Sequence, residues 1–410
     1  MLSKIFDLIL KLFSPFYEPF LQMYIEKAKK LFRNKVFYSD NEVYQRALDY
    51  NFSPKLSLTT EPIFLVEAGN LKDDYNKSFK EIKVKRERIE FKFELPYKEV
   101  INFIEAPDTT ITITNPNNIK RFQLSEVLNK LTQPAYEEFM GKKPNTYNDS
   151  HPRIASLYKT DDKYSCTIEE ADYFQQIRTN LSLDFKINME NEQETTLRNI
   201  EQNNRVTESQ DLPEFSESCL ANTIGVSAIW MMKRSIWSKD VFLRPRKNNV
   251  GVFAGKLGIP SGSVEMPKGS RFRTKNLVEY LTLDIAREFI EETGLFGEKV
   301  YVGKNRENTI TFSDIKKNFE LPNDFPTPIT LPESVEMTII PLAFVRELRR
   351  GGKPQMFFLI TTKEIPDDII RKGFVQSKGN EEFEKTLLTS ATLSSETMSN
   401  YVYAQKYIHP

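Results

Sequence analysis

Glu288, Glu291 and Glu292 stand three and four residues apart near the end of the run NLVEYLTLDIAREFIEETGL. On a helix those spacings project all three carboxylates from nearly the same surface. Asp284 lies one turn earlier on that arc. Like charges so spaced repel by roughly a few tenths of a kcal/mol per pair. They also sit toward the helix C-terminus, where the dipole disfavours anions. A bound cation reverses both effects. Hard carboxylate oxygens suit Mg²⁺ or Mn²⁺, which bridge protein carboxylates and substrate phosphates. The competing reading is a solvated acidic face, which is common on exposed helices.

A helix must position these groups, and its ends are written in the sequence. Asn276 or Thr274 caps its start. Gly294 stands where the chain leaves in a left-handed conformation. Between them Val278, Ile285, Ala286, Phe289 and Ile290 share one side at 3.6-residue spacing, and that side should face the core.

Here the sequence resembles the Nudix hydrolase family. The family signature is Gly, five residues, Glu, seven residues, then Arg-Glu-aliphatic-x-Glu-Glu-x-Gly-aliphatic. This chain has Glu279, seven residues, then Arg287-Glu288-Phe289-Ile290-Glu291-Glu292-Thr293-Gly294-Leu295, with Phe289 for the usual aliphatic. Upstream, Pro260-Ser261-Gly262-Ser263-Val264-Glu265 is similar to the family's Pro-Gly-Gly-x-x-Glu. A match over so many positions is far more specific than a lone glycine motif. Two departures stand out. Sixteen residues separate Gly262 from Glu279 where the family has five, and the extra eleven are best placed at Lys268–Val278. Ser261 replaces the first glycine of the pair.

The resemblance implies a Mg²⁺- or Mn²⁺-dependent pyrophosphohydrolase that cleaves the diphosphate of a nucleoside diphosphate linked to another moiety. Glu288, Glu291 and Glu292 would hold the metal. Glu279 would assist directly or through water, and Arg287 would orient the acidic residues. The proton acceptor would be Glu292 or a carboxylate on a later loop, with Glu333, Glu336 and Glu347 as candidates. Gly262, Arg244 and Arg246 would lie at the substrate, with Lys247 beside them. Lys268, Arg271, Arg273 and Lys275 in the insertion either meet phosphates or form a solvated loop. The alternative is a nucleotide-sensing module of the same fold that regulates the N-terminal half without efficient turnover.

Composition narrows the rest. Lys plus Arg equals Asp plus Glu at 57 each, so no global basic field holds nucleic acid. The run Lys83–Arg88 (KVKRER) reads as a solvated edge. Cys166 and Cys219 form no CxxC, and His151 and His409 are far apart, which argues against zinc, disulfides and His-based catalysis. A reducing cytoplasm fits. Trp230, Trp237 and Phe242 read as core rather than as base-stacking platforms.

No run of about 18 uncharged apolar residues exists to span a membrane. The first 13 residues, MLSKIFDLILKLF, are amphipathic. They read as a packing or dimerisation helix, so a homodimer stays open, as does weak membrane-surface contact through residues 1–33.

The chain reads as α/β (α+β). Residues 1–50 form an N-terminal helical segment, and 51–215 a mixed α/β accessory or regulatory domain. Residues 216–410 form a Nudix-like mixed sheet sandwiched between helices. Within the first half, Ile63–Val66, Ile89–Leu95 and Thr109–Thr114 read as strands, and 97–104 and 123–140 as helices. Residues 186–218 carry many Glu, Asn and Gln and read as an exposed connection, partly helical or mobile. In the second half, IGVSAIWMMKR and KDVFLRPR read as strands. MTIIPLAFVREL and KPQMFFLITT read as a hairpin, and Ser394–Tyr407 as the last helix.

Overall fold

The computed structural model describes residues 36–51, 81–86, 89–94, 97–161, 163–188, 194–203, 212–235, 238–246, 255–377, 388 and 393–409. The amphipathic segment at 1–33, the strand read at Ile63–Val66, and the residues Lys247 and Trp237 lie outside them.

Among the described residues, a mixed sheet of nine strands organises the molecule. Its centre is Gly225–Lys233, parallel to Lys353–Lys363, which returns antiparallel along Met337–Glu347. Residues 348–352 make the turn. Side-chain alternation on these strands builds two cores. Val226, Ala228, Trp230 and Met232 face one side with Met356, Phe358 and Ile360. Ile229 and Met231 face the other with Phe357 and Leu359. Helix Leu277–Thr293 covers the first face and helix Ser395–Ile408 the second. The result is a mixed sheet flanked by helices, the architecture that two-sided apolar strands require. Trp230 and Phe242 are fully buried core residues, and Trp230 Nε1 donates to Thr362 Oγ1 at 3.0 Å.

The first half of the chain enters this sheet. Phe37–Ser39 pairs with Lys239–Phe242, and Tyr97–Asn102 pairs with Met337–Glu347. Both findings correct the sequence reading, which expected only helix over 1–50 and a helix at 97–104. Tyr97 and Ile101 are buried and four residues apart, a spacing that shares a face in a strand as well as in a helix. The helix expected over 123–140 runs Glu126–Lys142, capped by Ser125. A second sheet holds Ile111–Ile113, Lys120–Arg121, Ser150–Thr160 and Lys163–Asp172.

The polar segment 186–218 also needs correction. Its described parts include the short helix Leu197–Asn203, with Leu197, Arg198 and Glu201 buried, and buried Leu212 and Phe215. Arg198 is clamped by Asp184 at 2.5 and 2.7 Å and donates to the carbonyls of Leu348 and Arg349. Arg346 donates to Pro213 O at 2.7 Å. Few large apolar residues did not mean exposure here, because ion pairs and hydrogen bonds satisfy the buried polar groups.

Candidate active site

The acidic helix starts where Asn276 Oδ1 accepts from the Val278 N–H at 3.1 Å. It stops at Gly294, φ 66°, whose N–H reaches Ile290 O at 2.7 Å. A Cβ at Gly294 would stand 2.1 Å from the Gly373 carbonyl oxygen, so helix end and neighbouring helix both require glycine. Phe289 meets Trp230 edge-on at 5.0 Å, which explains an aromatic residue at this core position.

Arg287 is 5% exposed and organises the acidic side. Its Nε donates to Asp284 at 3.0 Å, its Nη1 to Glu291 at 3.1 Å, and its Nη2 to Glu288. Asp284 is fully buried, and its Oδ2 has no hydrogen-bond partner among the described residues. These three contacts tie Asp284, Glu288 and Glu291 to one guanidinium.

Glu288 lies against Gly262. A Cβ there would stand 2.2 Å from Glu288 Oε1, so this approach needs a residue without a side chain. Glu292 turns a different way. The Ser261 N–H bonds its carboxylate, Arg244 and Arg246 face it, and Arg244 Nη1 donates to its carbonyl at 3.3 Å. Arg244 and Arg246 thus flank the acidic helix from the strand end where the sequence placed them.

Electrostatics follow from this crowding. Burial pushes the Glu288 carboxyl up to about 8 against the pull of Arg287. It pushes Glu292 up to about 7 against Arg244 and Arg246, and Glu265 up to about 7 against Arg287. Asp284 is raised by burial too. Carboxyls this reluctant to ionise together gain from a nearby cation. Among the described residues, no three His, Cys, Asp or Glu side chains are gathered as a metal-ion site; Arg287 holds Glu288 and Glu291, while Arg244 and Arg246 face Glu292. The donor chemistry nevertheless fits a hard divalent cation. Glu288 and Glu291 offer carboxylate oxygens under Arg287 while Glu292 turns toward Arg244 and Arg246, and Glu288 occupies the space that a Cβ at Gly262 would fill.

Glu279 does not join them. It is exposed in the first turn and accepts from Thr274 Oγ1 at 2.7 Å. Nine residues of helix put it roughly 13 Å along the axis from Glu288. The assisting role implied for Glu279 finds no support in this placement. The later-loop candidates are also occupied elsewhere. Glu347 pairs with Arg350, and Glu336 with Arg306 and Lys363. Glu333 is exposed. The insertion forms a short 3₁₀ turn at Lys268–Ser270, and Lys268, Arg271, Arg273 and Lys275 are exposed. Its buried residue, Phe272, packs edge-on against Tyr280 at 4.7 Å.

Two features were given no role in the sequence reading, although Glu265 ends the motif quoted there. Glu265, on the loop after Ser261–Ser263, stands 3.9 Å from Arg287 and keeps 42% of its side chain exposed. Beyond Gly262 opens a cavity of about 140 Å³ lined by Arg246, Arg350, Lys353, Glu396, Tyr173 and Gln176, among others. Its lining comes from segments far apart in sequence, so no local motif announces it.

The sequence matches no family model and no curated protein. The likeness to the Nudix signature therefore rests on the motif residues of 260–265 and 279–295.

Proposed function

We propose that the chain is a Mg²⁺- or Mn²⁺-dependent pyrophosphohydrolase of Nudix type, acting on a nucleoside diphosphate linked to another moiety. One observation carries the reading: three glutamates on one helix, two of them oriented by a buried arginine, beside a cation-lined cavity across Gly262. Such a pairing of carboxylates and cations suits a metal-bound diphosphate. Glu288, Glu291 and Glu292 would hold the cation, which when bound neutralises phosphoryl oxygens and activates water.

The chain's own groups do the rest. Arg287 fixes the orientation of Glu288 and Glu291. Arg244 and Arg246 hold phosphate oxygens. Glu265, partly solvent-exposed and pushed by burial up to about 7, accepts the proton of the attacking water. Among the described residues no helix is long and apolar enough to cross a membrane, and a cytoplasmic location belongs to this proposal.

Glu291→Gln and Glu292→Gln test it. Each keeps size and hydrogen bonding while removing charge, and turnover of the preferred diphosphate should fall by about 100-fold or more. Unchanged rates in both, with the fold intact by circular dichroism, reject the assignment. A sensing role without efficient turnover is favoured by one fact, that Tyr173 and Gln176 of the N-terminal half line the cavity. Tight nucleotide binding without hydrolysis would select it.

A further inference from the structure

The cavity beyond Gly262 contains a buried lysine whose nearest anions, the Glu347 and Glu396 carboxylates, act on it only from beyond ion-pair distance. Lys353 is 2% exposed, and its ammonium makes no hydrogen bond or ion pair among the described residues. The other lining cations differ. Arg350 is paired with Glu347, and Arg246 stands 3.6 Å from Glu396. Glu396 is further engaged by Gln355 Nε2 at 2.7 Å. A buried ammonium left unpaired is strongly disfavoured, so the structure around it should supply an anion or strip its proton.

The other lining groups point to the anion. Gln176 is 2% exposed, and its Oε1 accepts from Thr223 Oγ1, which leaves its NH₂ group as a donor. The Tyr173 hydroxyl has no partner among the described residues. Both belong to helix Tyr173–Arg178, so the N-terminal half closes the site. The turn that carries Arg350 is gripped from the same side, since Asn180 Nδ2 donates to Arg350 O at 2.8 Å. A volume of about 140 Å³ suits a small oxyanion, being well under the roughly 300 Å³ of pockets that enclose whole drug-sized ligands.

We propose that this cavity is a binding site for a phosphate-class oxyanion, with Lys353 as its central cation and Tyr173 and Gln176 as donors from the N-terminal half. The site needs no metal; it lies in the cavity on which the hydrolysis reading also draws, and phosphate binding is measured independently of turnover. The anion is either free inorganic phosphate or the phosphoryl end of a larger ligand.

Calorimetric titration of the full chain with inorganic phosphate, in EDTA, tests it. Wild type should bind one phosphate saturably. Lys353→Gln should weaken binding at least ten-fold and Gln176→Ala several-fold. Lys363→Gln, on an exposed lysine of the same strand, should leave it unchanged. Tyr173→Phe, which removes only a hydroxyl, should also weaken it and serves if Lys353→Gln fails to fold. No saturable binding to wild type, or wild-type affinity in both Lys353→Gln and Tyr173→Phe, overturns the site. Adding ADP identifies the source, and both results support the site. Displacement of phosphate marks a phosphoryl end, and coexistence marks the free ion. Phosphate binding retained by a wild type that hydrolyses nothing would reject the hydrolysis reading alone.

Discussion

Gly262 and Lys353 carry the two chemical loads of the site, one by lacking a side chain and one by burying its charge. At Gly262 the atom that a methyl group would strike is the end of the flexible Glu288 side chain. Gly262→Ala should therefore leave the melting temperature within a few degrees while turning Glu288 away. Mn²⁺ affinity, read by electron paramagnetic resonance, and turnover should each fall by about ten-fold or more. A variant with wild-type metal affinity would separate Gly262 from the acidic site.

Lys353 invites the opposite measurement. Burial pulls its ammonium down to about 7, with Arg350 adding to the shift and Glu347 and Glu396 opposing it. Below pH 7 both the folded and unfolded chains carry this proton, and the folded chain bears the full cost of a buried charge. As pH rises above 7 the folded chain sheds the proton first and the cost fades, vanishing above the unfolded value near 10.5. In buffers free of oxyanions, Lys353→Met should stabilise the protein by ~1–3 kcal/mol at pH 6, and the gain should shrink by pH 9. Urea unfolding at the two pH values reads it. A gain that grows with pH contradicts the buried-charge account.

At the scale of elements, the acidic helix was fully legible. Asn276 and Gly294 delimit it by side-chain capping and left-handed backbone, both local effects that the sequence carries explicitly. Gly294→Ala combines a positive φ with a collision against fixed backbone of Gly373. It should cost ~2–4 kcal/mol, measurable by denaturant unfolding. A cost below ~0.5 kcal/mol would mean the helix end relaxes freely. The long strands were legible as well, because Gly225–Lys233 and Lys353–Lys363 are apolar on both faces.

Elements that depend on distant partners were not legible. Strand Tyr97–Asn102 exists through its pairing with Ala343–Glu347, and Tyr97 and Ile101 alone do not distinguish helix from strand. Segment 186–218 resembles a linker until Arg198 meets Asp184 and the carbonyls of Leu348 and Arg349. Nor does any local signal reveal Lys353 as a site residue, since Tyr173, Arg246 and Glu396 come to it from elsewhere in the chain.

At the scale of the whole molecule, the two halves share one sheet and one cavity. Phe37–Ser39 and Tyr97–Asn102 pair with strands of the second half. Arg153 donates to Leu220 O and Ser218 O, and His151 Nδ1 contacts Val264 O at 2.9 Å. A fragment of residues 216–410 would expose two strand edges and leave these groups unpaired. It should aggregate, or melt well below the full chain in differential scanning calorimetry. A fragment with full-length stability would show that the second half folds independently.

The most direct test of the central claim is turnover by the full chain on a panel of nucleoside diphosphate derivatives, with Mg²⁺ or Mn²⁺ and again in EDTA. Cleavage of at least one diphosphate linkage with metal, abolished by chelation, is the expected result. Tight nucleotide binding with no diphosphate cleaved under either metal would contradict it.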